Sequence, residues 1–329
     1  MTERELSAAT EHPEMPQPAE VEDTYAEGFR SIFAEVLITA RDQTWLDHAV
    51  AAATGHASST ILCDCEAGRV RDVPPGETPD GRPGAICQFH VPRFNKNRVR
   101  ALELVLIARL SQNVLTCPTA AVFDNLAAAV PAKDAEKGQQ PYEIGRKIGF
   151  FGDRFQFDDQ RHGRDVTVVP TMGGEFVMDR LFGFADGIMG GNLWFMGESV
   201  DAAIEATQRG VDAVAPLEGV IMPFPGGIAA SGSRAGSTYD FLIASTNVPF
   251  CPTLRDHPDV STELPDGVES VMEIIINGTS LAAITEATHA AIDAASRTPG
   301  LRKISAGNYN GRLGKSFIYL RRDRLPDDA

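Results

Sequence analysis

The C-terminal half of this chain repeats itself at a spacing of 81 residues. That repeat limits the folds open to it more than any other feature. Gly197 aligns with Gly278, Ser199 with Ser280 and Ala202 with Ala283. Glu205-Ala206-Thr207 aligns with Glu286-Ala287-Thr288, and Asp212-Ala213 with Asp293-Ala294. Gly219 aligns with Gly300, and Gly226 with Gly307. Each copy reads as strand, helix, strand. In the first helix Val200, Ile204, Thr207, Val211 and Val214 form a stripe; in the second, Leu281, Ile284, Thr288, Ile292 and Ala295 do. A βαβ unit followed by further strands, used twice, predicts an α+β fold with helices packed on a sheet.

The second copy opens with the run 271–278, Val-Met-Glu-Ile-Ile-Ile-Asn-Gly. It is apolar, β-rich and closed by Asn-Gly, which predicts a strand. Alternation puts Glu273 on one face with Val271 and Ile275, and Met272, Ile274 and Ile276 on the other. Both faces are apolar, and a strand buried on both faces carries charge only for a reason. Either Glu273 lines a cleft or the segment is not a buried strand. The repeat sets Asn192 in the place equivalent to Glu273, so the companion position is neutral.

From the start, residues 1–20 hold three prolines and five glutamates and predict a disordered tail or docking arm. Order is expected from Val21. Strands are predicted at 35–40, 59–65 and 85–91, and helices at 43–53 and 99–115. Residues 73–84 form a turn-rich loop with four prolines and an Asp80-Gly81 pair. Residues 127–145 read as a surface connection, and 149–153 and 166–169 as strand pieces. A change of lobe is placed at 164/165. The expected division is a tail (1–20), an N-terminal, proximal lobe (21–164) and a C-terminal, distal lobe (165–329) containing the repeat.

The 329 residues suffice for two domains or one large one, with ample core. The formal charge of −15 argues against nucleic acid or an anionic membrane as the main partner. No run of 18 apolar residues predicts a membrane span, and the N-terminus lacks a signal pattern. Five cysteines, an odd and small number, suit a reducing cytoplasm. Gly311-Arg-Leu-Gly-Lys-Ser316 has two residues where a phosphate loop needs four, and a strand follows it. Cys63-x-Cys65 would share a strand face, but no second pair has zinc spacing. There is neither His-Glu-x-x-His nor a Gly-x-Ser-x-Gly elbow. No metal site, covalent nucleophile or nucleotide loop is therefore expected. What remains are Gly-, Asn- and Ser-rich strand ends at 186–192, 223–227, 245–247 and 305–308. Such loops suit a small-molecule cleft, and they equally serve as ordinary turns.

Seven motifs occur in order: Thr78-Pro-Asp-Gly-Arg-Pro-Gly84, Phe150-Phe-Gly-Asp153, Gly190-Gly-Asn192, Pro223-Phe-Pro-Gly-Gly227, Ala244-Ser-Thr-Asn247, Cys251-Pro-Thr253 and Lys303-Ile-Ser-Ala-Gly-Asn308. On these, from Val21 to Leu320, the chain resembles the formylmethanofuran–tetrahydromethanopterin N-formyltransferases. The resemblance implies two ferredoxin-like lobes, mixed or antiparallel sheets, a cytoplasmic homotetramer and no prosthetic group. It implies formyl transfer between the amine of methanofuran and N5 of tetrahydromethanopterin, both cosubstrates. The glutamate of the family's Glu-Ile-(Val/Ile)-Ile-Asn-Gly strand has a catalytic role and falls on Glu273. Similar proteins in methylotrophic bacteria serve as one subunit of a formyltransferase/hydrolase complex running toward formate. The acidic tail, and Arg312 and Lys315 around Gly314, depart from the archaeal pattern.

The implied chemistry is acyl transfer, in which an oxyanion develops and the leaving amine needs a proton. A glutamate kept protonated by an apolar setting suits either task. Asn192, Asn247 and Asn308 and the Gly226-Gly227 turn are candidates for substrate contacts. The furan coenzyme's carboxylates call for a local basic set in an acidic protein. Arg82, Arg234, Lys303, Arg312 and Lys315 lie in or beside the motif loops. The alternatives are a non-catalytic subunit of a C1-transfer complex and a formyltransferase using another carrier.

Overall fold

A 15-residue strand near the N-terminus, Tyr25–Thr39, belongs to both halves of the molecule. At about 3.3 Å per residue it is roughly 50 Å long. The computed structural model describes residues 17–232 and 234–324. In chain order the first half holds β1 (Glu20–Val21), β2 (Tyr25–Thr39), α1 (Gln43–Thr54), β3 (Glu66–Val73), β4 (Gly84–Pro92), α2 (Arg98–Arg109), β5 (Ala121–Asp124), α3 (Ala132–Ala135) and α4 (Ile144–Gly149). A meander follows, β6 (Phe157–Arg161), β7 (Arg164–Thr171) and β8 (Gly174–Asp179). The second half holds β9 (Ala185–Gly197), α5 (Val200–Val214), β10 (Val220–Ile221), β11 (Arg234–Ala235), β12 (Ala244–Ser245), β13 (Ser270–Gly278), α6 (Leu281–Ala295), β14 (Leu301–Ser305) and β15 (Ser316–Tyr319).

One 13-stranded sheet runs through both halves, and β11–β12 stands apart as a ribbon. The sheet is mixed: β1/β14 and β5/β8 are parallel and the other ladders antiparallel. With helices packed on it, the fold is α+β, as expected. The end of β2 pairs with β4 and β5, and its beginning with β15 and β9. Ile32, Ala34, Val36 and Ile38 alternate into a first core with α1 and α2. Ala26 joins a second core with Leu193, Phe195, Ile274 and Ile276. The first core extends through Phe176, Met178, Phe182 and Phe184. Residues 165–184, expected with the C-terminal lobe, therefore pack with the N-terminal one. The hydrophobic pattern gives strands but not the core that receives them.

The repeat is physical. Ser199 and Ser280 are both N-caps, accepting from Ala202 N and Ala283 N at 3.1 Å. Each contributes about 1 kcal/mol to its helix. Gly219 and Gly300 both follow a helix in the left-handed region, with φ of 73° and 78°, which explains the repeated glycine. The two copies meet along β9 and β13, where Leu193 pairs directly with Ile274. These two are 81 residues apart, so a pseudo-twofold axis passes through their pair.

Several expectations are corrected. Residues 59–65 are turns and not a strand; β3 begins only at Glu66. The segment is held from outside: Arg109, buried, donates to the carbonyls of Ala53, Gly55 and His56 and pairs with Asp64 at 2.5 Å. Cys63 and Cys65 thus share no strand face. Residues 149–153 are the end of α4 and a 3₁₀ turn that leaves Phe150 and Phe151 exposed. On α5 the buried stripe is Ala203, Ala206, Thr207, Gly210, Val211 and Val214, while Val200 and Ile204 are exposed. Small residues win that face because α5 lies close against the sheet and α6: a Cβ on Gly210 would stand 3.1 Å from Ile274 and 3.4 Å from Ala291. Of the predicted tail, residues 1–16 lie outside the described residues. Ala19 is already tied by its N–H to the Ser296 carbonyl at 2.7 Å. No helix among the described residues is long and apolar enough to cross a membrane.

Candidate functional site

Three neighbouring strands present one face away from the helices. From β14 it carries Lys303 and Ser305, from β9 Asn192, Trp194 and Met196, and from β13 Val271, Glu273 and Ile275. The opposite face, with Leu193, Phe195, Ile274 and Ile276, packs on α5 and α6. The Glu273 side therefore meets the long insertion between β10 and β13 instead of a helix layer. Glu273 is 7% exposed.

Backbone pairing aims the carboxyl. Glu273 exchanges both main-chain hydrogen bonds with Ala229, each at 2.8 Å. Its pairing with Trp194 on the other side is then the non-hydrogen-bonded kind, where side chains stand closest. Trp194 Nε1 donates to Glu273 Oε1 at 3.0 Å, and Asn192 Nδ2 donates to the same oxygen at 2.9 Å. Oε2 carries no hydrogen bond among the described residues. Burial pushes the Glu273 carboxyl above the usual glutamate range, and the two neutral donors only partly oppose it. Asn192 Oδ1 is buried without a donor. Gly307 is required alongside, since a Cβ there would lie 2.7 Å from the Trp194 ring and 3.0 Å from Asn192 Nδ2.

Three adjoining cavities open on this group. One of about 370 Å³ is bounded by Glu273, Asn192, Ile275, Phe224 and Tyr309 from the C-terminal lobe and by Thr60, Glu66 and Phe94 from the other. One of about 230 Å³ lies between Trp194, Asn247, Phe250 and Glu273. A third, of about 490 Å³, meets Asn192, Trp194, Arg234, Asn247, Lys303 and Asn308. These sizes suit a small-molecule ligand. Among the described residues no group of three or more His, Cys, Asp or Glu is arranged to hold a metal.

The fold thus gathers Glu273, Asn192, Asn247, Arg234, Lys303 and Asn308 from distant sequence positions. Not all of them are free. Lys303 pairs with Glu22 at 3.1 Å and Glu20 at 3.6 Å, and Asn308 donates to Thr24 Oγ1 at 2.9 Å and the Tyr25 carbonyl at 3.2 Å. Arg234 has no side-chain partner among the described residues and is exposed. Gly226 and Gly227 form a turn with φ of 62° and 80°, Gly227 lying against Val211. Arg312 is exposed beside Leu313, which borders the first cavity. Arg82 is elsewhere: it pairs with Asp80 at 2.6 Å and bonds Thr39 Oγ1 and the Thr119 carbonyl. Thr39 is ten residues along β2 from the cavity residue Phe29, about 33 Å away.

Two further glutamates at the cavity escaped the sequence reading. Glu27 accepts backbone N–H bonds from Tyr309, Gly311, Leu313 and Gly314 at 2.6–3.2 Å and so fixes the loop after β14. Glu66 accepts from Asn277 Nδ2 at 2.6 Å and from Thr60 N and Oγ1, linking the two lobes. Burial raises its carboxyl also. Glu27 stands between Tyr25 and Phe29 on its face of β2, a charge flanked by aromatics, and that signal was available.

Comparison with known proteins adds the family context. Residues 16–171 match the family model described as formylmethanofuran-tetrahydromethanopterin formyltransferase. Residues 174–322 match the one described as FTR, proximal lobe, so that word attaches to the C-terminal half and not the N-terminal one. The formylmethanofuran–tetrahydromethanopterin formyltransferase of Methanosarcina mazei is 47% identical over 300 residues, 90% of this chain and 95% of the relative. That of Methanopyrus kandleri is 45% identical over 92% of this chain and 97% of its own. The solved Methanosarcina barkeri enzyme superposes with a TM-score of 0.83 at 44% identity, covering 92% of this chain and 97% of that one. A chain of the formyltransferase/hydrolase complex from Methylorubrum extorquens, solved with methylofuran, superposes with a TM-score of 0.82 at 33% identity, covering 91% and 95%.

The raised Glu273 carboxyl makes stability depend on pH. The unfolded chain loses this proton near the ordinary glutamate pKa of about 4.3. The native chain keeps it to higher pH, so folding binds a proton across that window. Relative to Glu273→Gln, the wild-type protein should lose stability progressively as pH rises from there through the native value. Urea unfolding of both at a series of pH values checks this; a constant difference would contradict it.

Proposed function

The chain belongs to the formylmethanofuran–tetrahydromethanopterin formyltransferase family, and on that premise we propose that it transfers a formyl group between the amine of methanofuran and N5 of tetrahydromethanopterin. The observation that carries the mechanism is a buried glutamate carboxyl with two neutral donors on one oxygen and the other oxygen without a partner. N5 attacks the formyl carbon, the new C–N bond forms, and the carbonyl electron pair moves to oxygen. Collapse breaks the old C–N bond, and the leaving amine takes a proton while N5 gives one up. Protonated Glu273 serves at both ends: it donates from Oε2 to the developing oxyanion or the leaving amine and recovers a proton from N5. Asn192 and Trp194 hold Oε1, which orients the proton-bearing oxygen toward the cavity. The buried Asn192 Oδ1 would accept from a substrate N–H.

Glu273→Gln should bind both coenzymes with little change in KM and slow turnover by roughly 10²- to 10⁴-fold. A formyl-transfer assay with both coenzymes tests this on the isolated chain. Near-normal kcat in the variant would remove Glu273 from the chemistry. Absence of transfer by the isolated wild-type chain would favour the non-catalytic reading. Because the acid form acts, rate should fall as pH rises through the raised carboxyl pKa.

For the carboxylates of the furan coenzyme, Arg234 is the favoured partner, with Asn247 and Asn308 on the same cavity and Arg312 next to Leu313 at the first one. Lys303 is already paired with two glutamates, and Gly226-Gly227 serve to turn the chain beneath. Arg234→Ala should raise KM for the furan substrate about tenfold with kcat kept, in line with loss of one charge-assisted bond. Arg82→Ala should leave KM alone and cost stability instead. A raised KM in Arg82→Ala would show that the cavity beside Arg234 is not where that substrate lies. The same reading places the protein in the cytoplasm as a homotetramer able to join hydrolase subunits; a native mass other than four copies would remove the tetramer.

A further inference from the structure

A separate cavity, of about 720 Å³, is bordered by β2, β9, the start of α6 and β15. Successive cross-strand pairs show the separation. Phe29 pairs with Met189, and both border the Glu273 cavity. Arg30 pairs with Ile188, and both border this second cavity. Neighbouring residues on a strand face opposite ways, so these two pairs turn toward different cavities.

Four cations surround the second cavity: Arg30, Arg93, Lys133 and Lys315. They come from β2, the turn after β4, α3 and the residue before β15. One carboxylate, Asp186, faces them and pairs with Arg93. Asp134, behind Arg93, is taken up by Arg98 at 2.7 Å. Four cations against one carboxylate leave three positive charges in excess, in a chain whose formal charge is −15. Arg93 is held by its acidic neighbours and Lys315 by the Gly311 carbonyl. Arg30 and Lys133 make no side-chain hydrogen bond or ion pair among the described residues. The start of α6, Thr279 to Leu281, closes the remaining side. Ser280 Oγ accepts from Ala283 N, so the first N–H groups of the helix stay available to a ligand.

A concave surface that concentrates unpaired cations in an acidic protein is built against the global field, and it attracts anions that the rest of the surface repels. We propose that this cavity binds a small organic molecule carrying two or more phosphate or carboxylate groups, at a site distinct from the Glu273 cleft. Arg30 and Lys133 supply the free charge, Arg93 a positioned guanidinium, and the first turn of α6 backbone donors. Phe317 and Ile188 give the ligand an apolar wall.

The test uses pyrophosphate and citrate as probes, followed by calorimetry on the full-length protein. Both or either should bind the wild-type chain, with affinity falling as salt is raised. The double variant Arg30→Glu, Lys133→Glu should bind the same probe at least tenfold more weakly. Its formyl transfer without probe should be unchanged, since neither residue touches the Glu273 cleft. Glu273→Gln should retain full probe binding. No binding by the wild type at millimolar probe, or undiminished binding by the double variant, would overturn the site. So would loss of binding in Glu273→Gln, which would put the probe in the cleft. A change in native mass of the double variant would assign these cations to contacts between copies, and would equally overturn it.

Discussion

The contact between Trp194 and Glu273 organises the centre of this molecule. It exists because Glu273 spends its backbone hydrogen bonds on Ala229 and so meets β9 in a non-hydrogen-bonded pair. At that spacing the indole N–H and the Asn192 amide reach one carboxyl oxygen together. Neutral donors can satisfy a buried carboxyl without forcing it to ionise, whereas a nearby arginine would. The proposed proton chemistry depends on this choice of partners.

Around that contact the chain uses long-range polar ties to hold the two lobes in register. Glu27 on β2 gathers four N–H groups of the loop 309–314, nearly three hundred residues away. Asn277 joins Gly190 N on one side to Glu66 of the other lobe. Each tie borders the 370 Å³ cavity, so the cavity walls and the interlobe contacts share the same residues. A carboxylate fully occupied by backbone donors fixes a loop more firmly than apolar packing alone, because its loss would leave four N–H donors, one of them buried, unmet.

The fold was legible where local rules and packing agree. Asp42, Ser199 and Ser280 cap helices where the pattern places helix starts. β13 and its glutamate stand where alternation puts them. Legibility failed where a distant group supplied the restraint. Residues 59–65 have strand composition, but Glu66 and Arg109 bend them into turns. The face of α5 was misjudged because its neighbours demand small side chains and not hydrophobic ones. Arg82 looks like a ligand-binding arginine in a glycine-rich loop, yet its guanidinium is used up by Asp80 and Thr39.

By itself the sequence determined the α+β class, the duplicated strand–helix–strand unit and the singular position of Glu273, since periodicity, caps and an out-of-place charge are local properties of the chain. Which lobe receives residues 165–184, which cations are free and which are paired, and where the empty space lies were decided only in three dimensions. The reason is that pairing and burial join residues hundreds of positions apart. A charge such as Lys303 or Arg30 reads the same in sequence, yet one is neutralised by Glu22 and the other has no partner among the described residues.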